Sequence, residues 1–192
     1  SFPFFSAVKD ITNYVQSFGN GLYQISNFNL SSILLNYYSN AVQFAGWNII
    51  IVYSNPTLPN KQLNIYDGLQ YVIGNSINTV NIPINNLNVT NTSGAKMTYI
   101  VYNGSPNFYS GEVAKFNGQN LTNALNPVNN PYNGSNSFTG STSNWNMDVD
   151  SYDISNFISV GNTSATITMS TNALRFLSNV ITSIQSELPD AT

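Results

Sequence analysis

The stretch that most constrains the fold is Gly46-Trp47-Asn48-Ile49-Ile50-Ile51-Val52-Tyr53, followed by a link and then Gln62-Leu63-Asn64-Ile65-Tyr66-Asp67-Gly68. Ile49, Ile50, Ile51 and Val52 put β-branched residues in succession, apolar on both faces. That pattern reads as a central strand covered on both sides. It is too short for a helix that is apolar all round. The link over 54–60 contains Pro56 and Pro59, which cannot donate to a ladder, so pairing stops there. The next segment sets Leu63 and Ile65 against Asn64 and Tyr66, a half-buried strand, and Asp67-Gly68 turns the chain. The expectation is a hairpin at the heart of a β-domain, with Trp47, Ile49, Ile51, Tyr53, Ile65 and Tyr66 in its core.

A chain of 192 residues is long enough to bury a core of its own. Charged residues make up 7 % of it, against about 25 % in ordinary soluble domains. The surface is therefore neutral and polar, and 33 asparagines with many serines and threonines supply it. There is no cysteine and no histidine, which excludes disulfides and any thiol or imidazole metal site. Side chains of ordinary pKa leave such a surface almost blind to pH between about 5 and 8. A net charge of −3 with five basic residues argues against a nucleic-acid partner. No apolar run approaches the roughly 18 residues of a membrane span. The chain opens on Ser1 rather than Met, and the expectation is a mature extracellular product whose signal peptide has been removed.

Further strands are expected at 10–15, 22–26, 69–73, 77–84, 97–102, 112–116, 145–154 and 164–170, with 28–38 ambiguous at helical spacing. Residues 174–184 fit both periods and are assigned to a strand because everything nearby is β. A polar, Gly- and Pro-bearing excursion over 120–145 reads as a long surface loop. About ten short strands with Asn, Gly and Pro turns predict an all-β sandwich of Greek-key, Ig-like type. Its expected limits are 10–184, between an N-terminal extension over 1–9 and a polar tail over 185–192.

In that extension Phe2, Phe4, Ser6 and Val8 share one face if extended, with Phe5 beside them. Three phenylalanines in five residues need a groove, either on their own domain as an edge strand or in a neighbouring subunit. Seven asparagines head N-glycosylation acceptor motifs: Asn29, Asn88, Asn91, Asn103, Asn120, Asn133 and Asn162. This composition yields several such motifs by chance, yet most lie in turn-like surroundings. N-linked glycans are expected, and no other cofactor. Asp148, Asp150 and Asp153 are the only carboxylate cluster; Asp148 and Asp150 share a strand face and make a weak candidate for a hard cation such as Ca²⁺. The plainer reading is exposed loop or strand-end residues. Without histidine or cysteine, and with no phosphate loop or paired carboxylates flanking a cleft, the sequence argues against an enzyme.

Gly19-Asn20-Gly21-Leu22-Tyr23, then Ala45-Gly46-Trp47 through Val52-Tyr53, then Asn64-Ile65-Tyr66-Asp67-Gly68, resembles an extracellular β-domain of bacterial and archaeal surface proteins with an AGW…VY…IYDG core. The likeness continues through Phe116-Asn117-Gly118, Asn126-Pro127, 145–153 and 165–168. Within that group the small size, Asn/Ser/Thr/Tyr bias and acceptor motifs look like the pilins of the archaeal thread of Sulfolobus-type cells. The resemblance implies a glycosylated cell-surface filament serving adhesion, cell contact or biofilm. It implies identical subunits joined head to tail by donor-strand complementation, with Phe2, Phe4, Phe5, Ser6 and Val8 as the matching donor strand. Other cells or surfaces would be further partners. The alternative is a monomeric adhesive or carbohydrate-binding sandwich with Trp145, Tyr132 and Tyr109 on its binding face; a role in an S-layer or a secreted hydrolase assembly is a weaker third reading. Four Asn-Gly steps, at Asn20, Asn103, Asn117 and Asn133, sit oddly with the tendency of heat-adapted proteins to avoid asparagine.

Overall fold

The structure, a computed structural model, describes residues 4–32, 34–35, 45–74, 78–107 and 111–185. Two compact units emerge, Ser1–Ala45 and Gly46–Thr192, so the boundary expected at residue 9 falls inside the first unit.

The second unit is an all-β sandwich of two antiparallel four-stranded sheets. One sheet runs in the order β1 (Lys61–Val72), β8 (Arg175–Gln185), β3 (Lys96–Tyr102), β6 (Met147–Asp153). The other runs β2 (Thr79–Asn85), β7 (Ser164–Ser170), β4 (Val113–Phe116), β5 (Gln119–Asn120). Period-two alternation builds the core between them. Met97, Tyr99 and Val101 of β3 meet Ala165, Ile167 and Met169 of β7 and Ala114 and Phe116 of β4 in one buried cluster. Each large apolar side chain buried there stabilises the fold by about 1.5–3 kcal/mol.

The centre of the first sheet differs from the sequence expectation. Residues 46–53 form no strand, and Trp47, Ile51 and Tyr53 are 48 %, 52 % and 73 % exposed. β8 is the strand covered on both faces, with β1 on one side and β3 on the other. With both of its edges taken, it leaves residues 46–53 no ladder position beside it. Nor is Ile65 core: Leu63 and Ile65 face outward, while Gln62, Asn64 and Tyr66 turn toward the 85–88 loop. There Gln62 Nε2 donates to the Asn86 carbonyl at 3.0 Å, the Asn88 amide donates to Gln62 Oε1 at 2.8 Å, and Tyr66 donates to the Asn85 carbonyl. Ile49 is half-buried, and only Tyr66 of the expected core set packs against the main cluster. Asp67-Gly68 is not a turn but an irregularity within β1, where the register against β8 shifts between Asp67 and Gln70.

In the first unit, the strand expected at 10–15 is a helix, α1 (Thr12–Phe18). Asp10 Oδ1 accepts the Thr12 amide at 2.8 Å, Tyr14 and Phe18 stack one turn apart with ring centres at 4.4 Å, and Gly19 at φ +64° ends it. These local helical signals outweigh the weak alternation. The 22–26 segment is likewise not a strand. Near the ambiguous 28–38 stretch, the Leu34 amide donates to the Leu30 carbonyl at 2.9 Å, the bond of a helical turn.

Candidate functional site

The first unit is defined by what it leaves uncovered. None of its described residues is buried. Phe5, Val8, Phe18, Leu22, Phe28 and Leu35 are 63 %, 73 %, 67 %, 96 %, 62 % and 74 % exposed. Ring pairs such as Phe5–Phe28 at 6.2 Å and Tyr14–Tyr23 at 5.9 Å give local order with no buried residue among those described. Of the expected donor residues, Phe4 is half-buried, Phe5, Ser6 and Val8 are exposed, and Phe2 lies outside the described residues.

Residues 46–60 lead into β1 and carry a second exposed apolar run. Among the described residues, no backbone–backbone hydrogen bond ties 46–54. The segment is held by side chains at its start. Asn48 Nδ2 donates to Tyr102 Oη at 3.0 Å and more weakly to Asn179 Oδ1 at 3.4 Å, and Asn179 Nδ2 in turn donates to Asp67 Oδ1 at 2.8 Å. Gly46 lies so close to the Tyr102 ring that a Cβ there would stand 2.3 Å from Cε1. Ile49 and Ile50 are half-buried, from Ile51 on the apolar side chains rise into solvent, and an Asn55–Leu58 turn, with Asn55 Oδ1 accepting the Thr57 amide at 3.0 Å, reverses the chain.

At the opposite extreme of burial lie the carboxylates. Asp148 and Asp150 are both 0 % exposed, on the inward face of β6 with Tyr152, which corrects the expectation of exposed strand-end residues. Only Asp153 is exposed; Asp153 Oδ1 accepts the Ser155 amide at 2.8 Å, and hydrogen bonding from Ser155 holds its carboxyl below the usual range. Asp148 Oδ1 accepts the amides of Gly134 and Ser135 at 2.7 and 3.2 Å. Ser137 Oγ donates to Asp150 Oδ1 at 2.7 Å. Among the described residues no group of three or more acidic, histidine or cysteine side chains gathers as a metal site would require. Nearby, Glu112 and Arg175 form a buried ion pair at 2.6 Å, one the sequence reading missed. Nothing in the sequence joins them; the fold does, by setting the first residue of β8 beside Glu112.

Trp145 is 77 % and Phe138 68 % exposed on the long loop, whereas Tyr132 is fully buried, its hydroxyl donating to the Val113 carbonyl at 3.0 Å. Tyr132 is therefore a core residue rather than part of a binding face, and Tyr109 lies outside the described residues. The acceptor asparagines divide in the same way. Asn29, Asn88 and Asn120 are exposed, and Asn91 and Asn162 half-buried. Asn103 and Asn133 have their Nδ2 atoms, where a glycan would attach, donating to the carbonyls of Leu174 and Leu125, each at 2.8 Å. Neither a scan against protein-family models nor a search of curated proteins finds a match to this chain.

Proposed function

We propose that this chain is a non-enzymatic structural subunit of a glycosylated extracellular filament, of the archaeal-thread kind its motifs resemble, polymerising head to tail with identical copies by donor-strand complementation. The observation that carries the reading is the pairing of a sandwich that has its own core with a 45-residue unit in which no described residue is buried. Apolar side chains left in water on this scale mark an interaction surface. An extended segment that adds to another subunit gains main-chain hydrogen bonds, and alternate side chains fill pockets. A contact between two different surfaces of one molecule propagates as an open fibre. The donor includes Phe4, Phe5 and Val8, and the filament serves adhesion, cell contact or biofilm.

Electron microscopy of the full chain beside a variant lacking residues 1–8 tests this. Filaments from the first and soluble heads from the second are expected. Identical filaments from both would remove the donor assignment, and filaments from neither would remove the polymer. Exposed Trp145 and Phe138 favour a second reading, a carbohydrate-binding sandwich. Glycan binding by a monodisperse monomer, lost on Trp145→Ala, would establish that reading instead.

A further inference from the structure

We infer that the inward-facing Asp148–Asp150 pair holds at least one proton in the folded head, which makes the head an acid-favoured fold that loosens as the medium approaches neutrality. Among the described residues three carboxyl groups are buried, Glu112, Asp148 and Asp150, and one cation, Arg175. Arg175 is already bonded to Glu112. Ionising both aspartates would leave two negative charges in the interior with no cation of their own, and such groups neutralise instead.

The hydrogen count agrees. Ser135 Oγ stands 3.0 Å from Asn126 Oδ1 and 3.1 and 3.2 Å from the two oxygens of Asp150. A hydroxyl has one hydrogen, and these three acceptors compete for it. Asp148 Oδ2 is buried and has no hydrogen-bond partner among the described residues. The other groups facing the pair do not neutralise it. From β3, the Tyr99 hydroxyl is committed to the Pro131 carbonyl, and from β6 that of Tyr152 to Tyr99, each at 2.7 Å. Tyr132 bonds the Val113 carbonyl.

Burial, with the neighbouring Asp150 charge, pushes the Asp148 carboxyl up to about 8; burial raises Asp150 and takes Glu112 up to about 7 against the pull of Arg175. These acids bind protons more tightly folded than unfolded. Their contribution is fully present below about pH 4 and is lost as pH rises toward 8. In that window, each group protonated in the fold and ionised in the unfolded chain lowers the folded-to-unfolded ratio about tenfold per pH unit.

Urea unfolding of the full chain at about pH 4, 6 and 8 tests this, alongside Asp148→Asn, Asp150→Asn and the exposed control Asp153→Asn. The midpoint of the unaltered chain should fall steadily with rising pH. Asn at 148 or 150 should flatten that fall, and Asp153→Asn should leave it unchanged. A midpoint that is level or rises with pH, or a slope kept by both inner variants, overturns the inference. So does a gain on adding calcium at neutral pH that Asp148→Asn abolishes, because a cation then neutralises the pair. Should neither inner variant fold, infrared spectroscopy of the unaltered chain near about pH 6.5 still decides, since exposed carboxyls are ionised there. A protonated-carboxyl band kept in Glu112→Gln supports the protonated pair; a band absent from the unaltered chain, or lost in Glu112→Gln because Glu112 alone carries it, overturns the inference.

Discussion

Residues 46–53 and strand β8 have similar apolar character and opposite fates. The first reads as the better central strand, with its run of β-branched residues, yet Ile51 and Tyr53 stand in solvent. The second interrupts its apolar residues with Arg175, Ser178, Asn179 and Thr182, yet all four are buried. What separates them is partnership. β8 satisfies its backbone on both edges, against β1 and β3, and three of those polar side chains find partners, Arg175 in Glu112, Ser178 in Asn179 and Asn179 in Asp67. Residues 46–53 have a sheet-forming sequence and no ladder. Burial in a sheet follows from backbone hydrogen bonds being available as much as from hydrophobicity.

The widest separation should appear on truncating one isoleucine in each region. Ile184→Ala, at a fully buried position, is expected to cost about 2–5 kcal/mol in urea unfolding. Ile51→Ala, 52 % exposed, should stay within about 0.5 kcal/mol for the isolated chain. Equal losses would break the comparison. Gly46→Ala should cost about 1–3 kcal/mol, because the new methyl meets the buried Tyr102 ring. Asn48→Ala removes the tether to Tyr102 and should cost about 0.5–1.5 kcal/mol. In hydrogen exchange, amides of 47–53 should exchange through local opening while those of β8 wait for global unfolding; slow exchange at 49–52 in a filament but not in the monomer would show a ladder gained on assembly. Smallest in energy is the glycan pattern. Mass spectrometry of native protein should find sugar at Asn29, Asn88 or Asn120 and none at Asn103 or Asn133.

Much of the sandwich was legible because period-two alternation is a local signal. β2, β3, β4, β6, β7 and β8 lie within a few residues of the strands the pattern predicts, including the strand chosen over a helix at 174–184. The failures are non-local. Nothing within 46–53 reveals that β8 occupies the centre, and nothing at Asp67-Gly68 distinguishes a turn from an irregular register once the strand resumes at Leu69. α1 is hidden because residues 10–15 alternate, whereas the Tyr14–Phe18 pair and the Gly19 stop that favour a helix reach beyond that stretch. The Asp148–Asp150 spacing shows that the two share a face; the phase that turns this face inward is carried by Tyr152, two residues on.

The four Asn-Gly steps differ in chemical lifetime. Deamidation requires the glycine nitrogen to reach the asparagine side-chain carbon, so a side chain that cannot rotate is protected. Asn103, Asn117 and Asn133 each donate Nδ2 to a carbonyl, of Leu174, Phe157 and Leu125, at 2.8, 2.9 and 2.8 Å. Asn117 Oδ1 also accepts the Thr166 amide at 2.9 Å. Asn20 is exposed, and among the described residues no hydrogen bond holds its side chain. Three of the four steps are thus held against slow hydrolysis by the fold itself, and among the four a molecule's age is written first at Asn20.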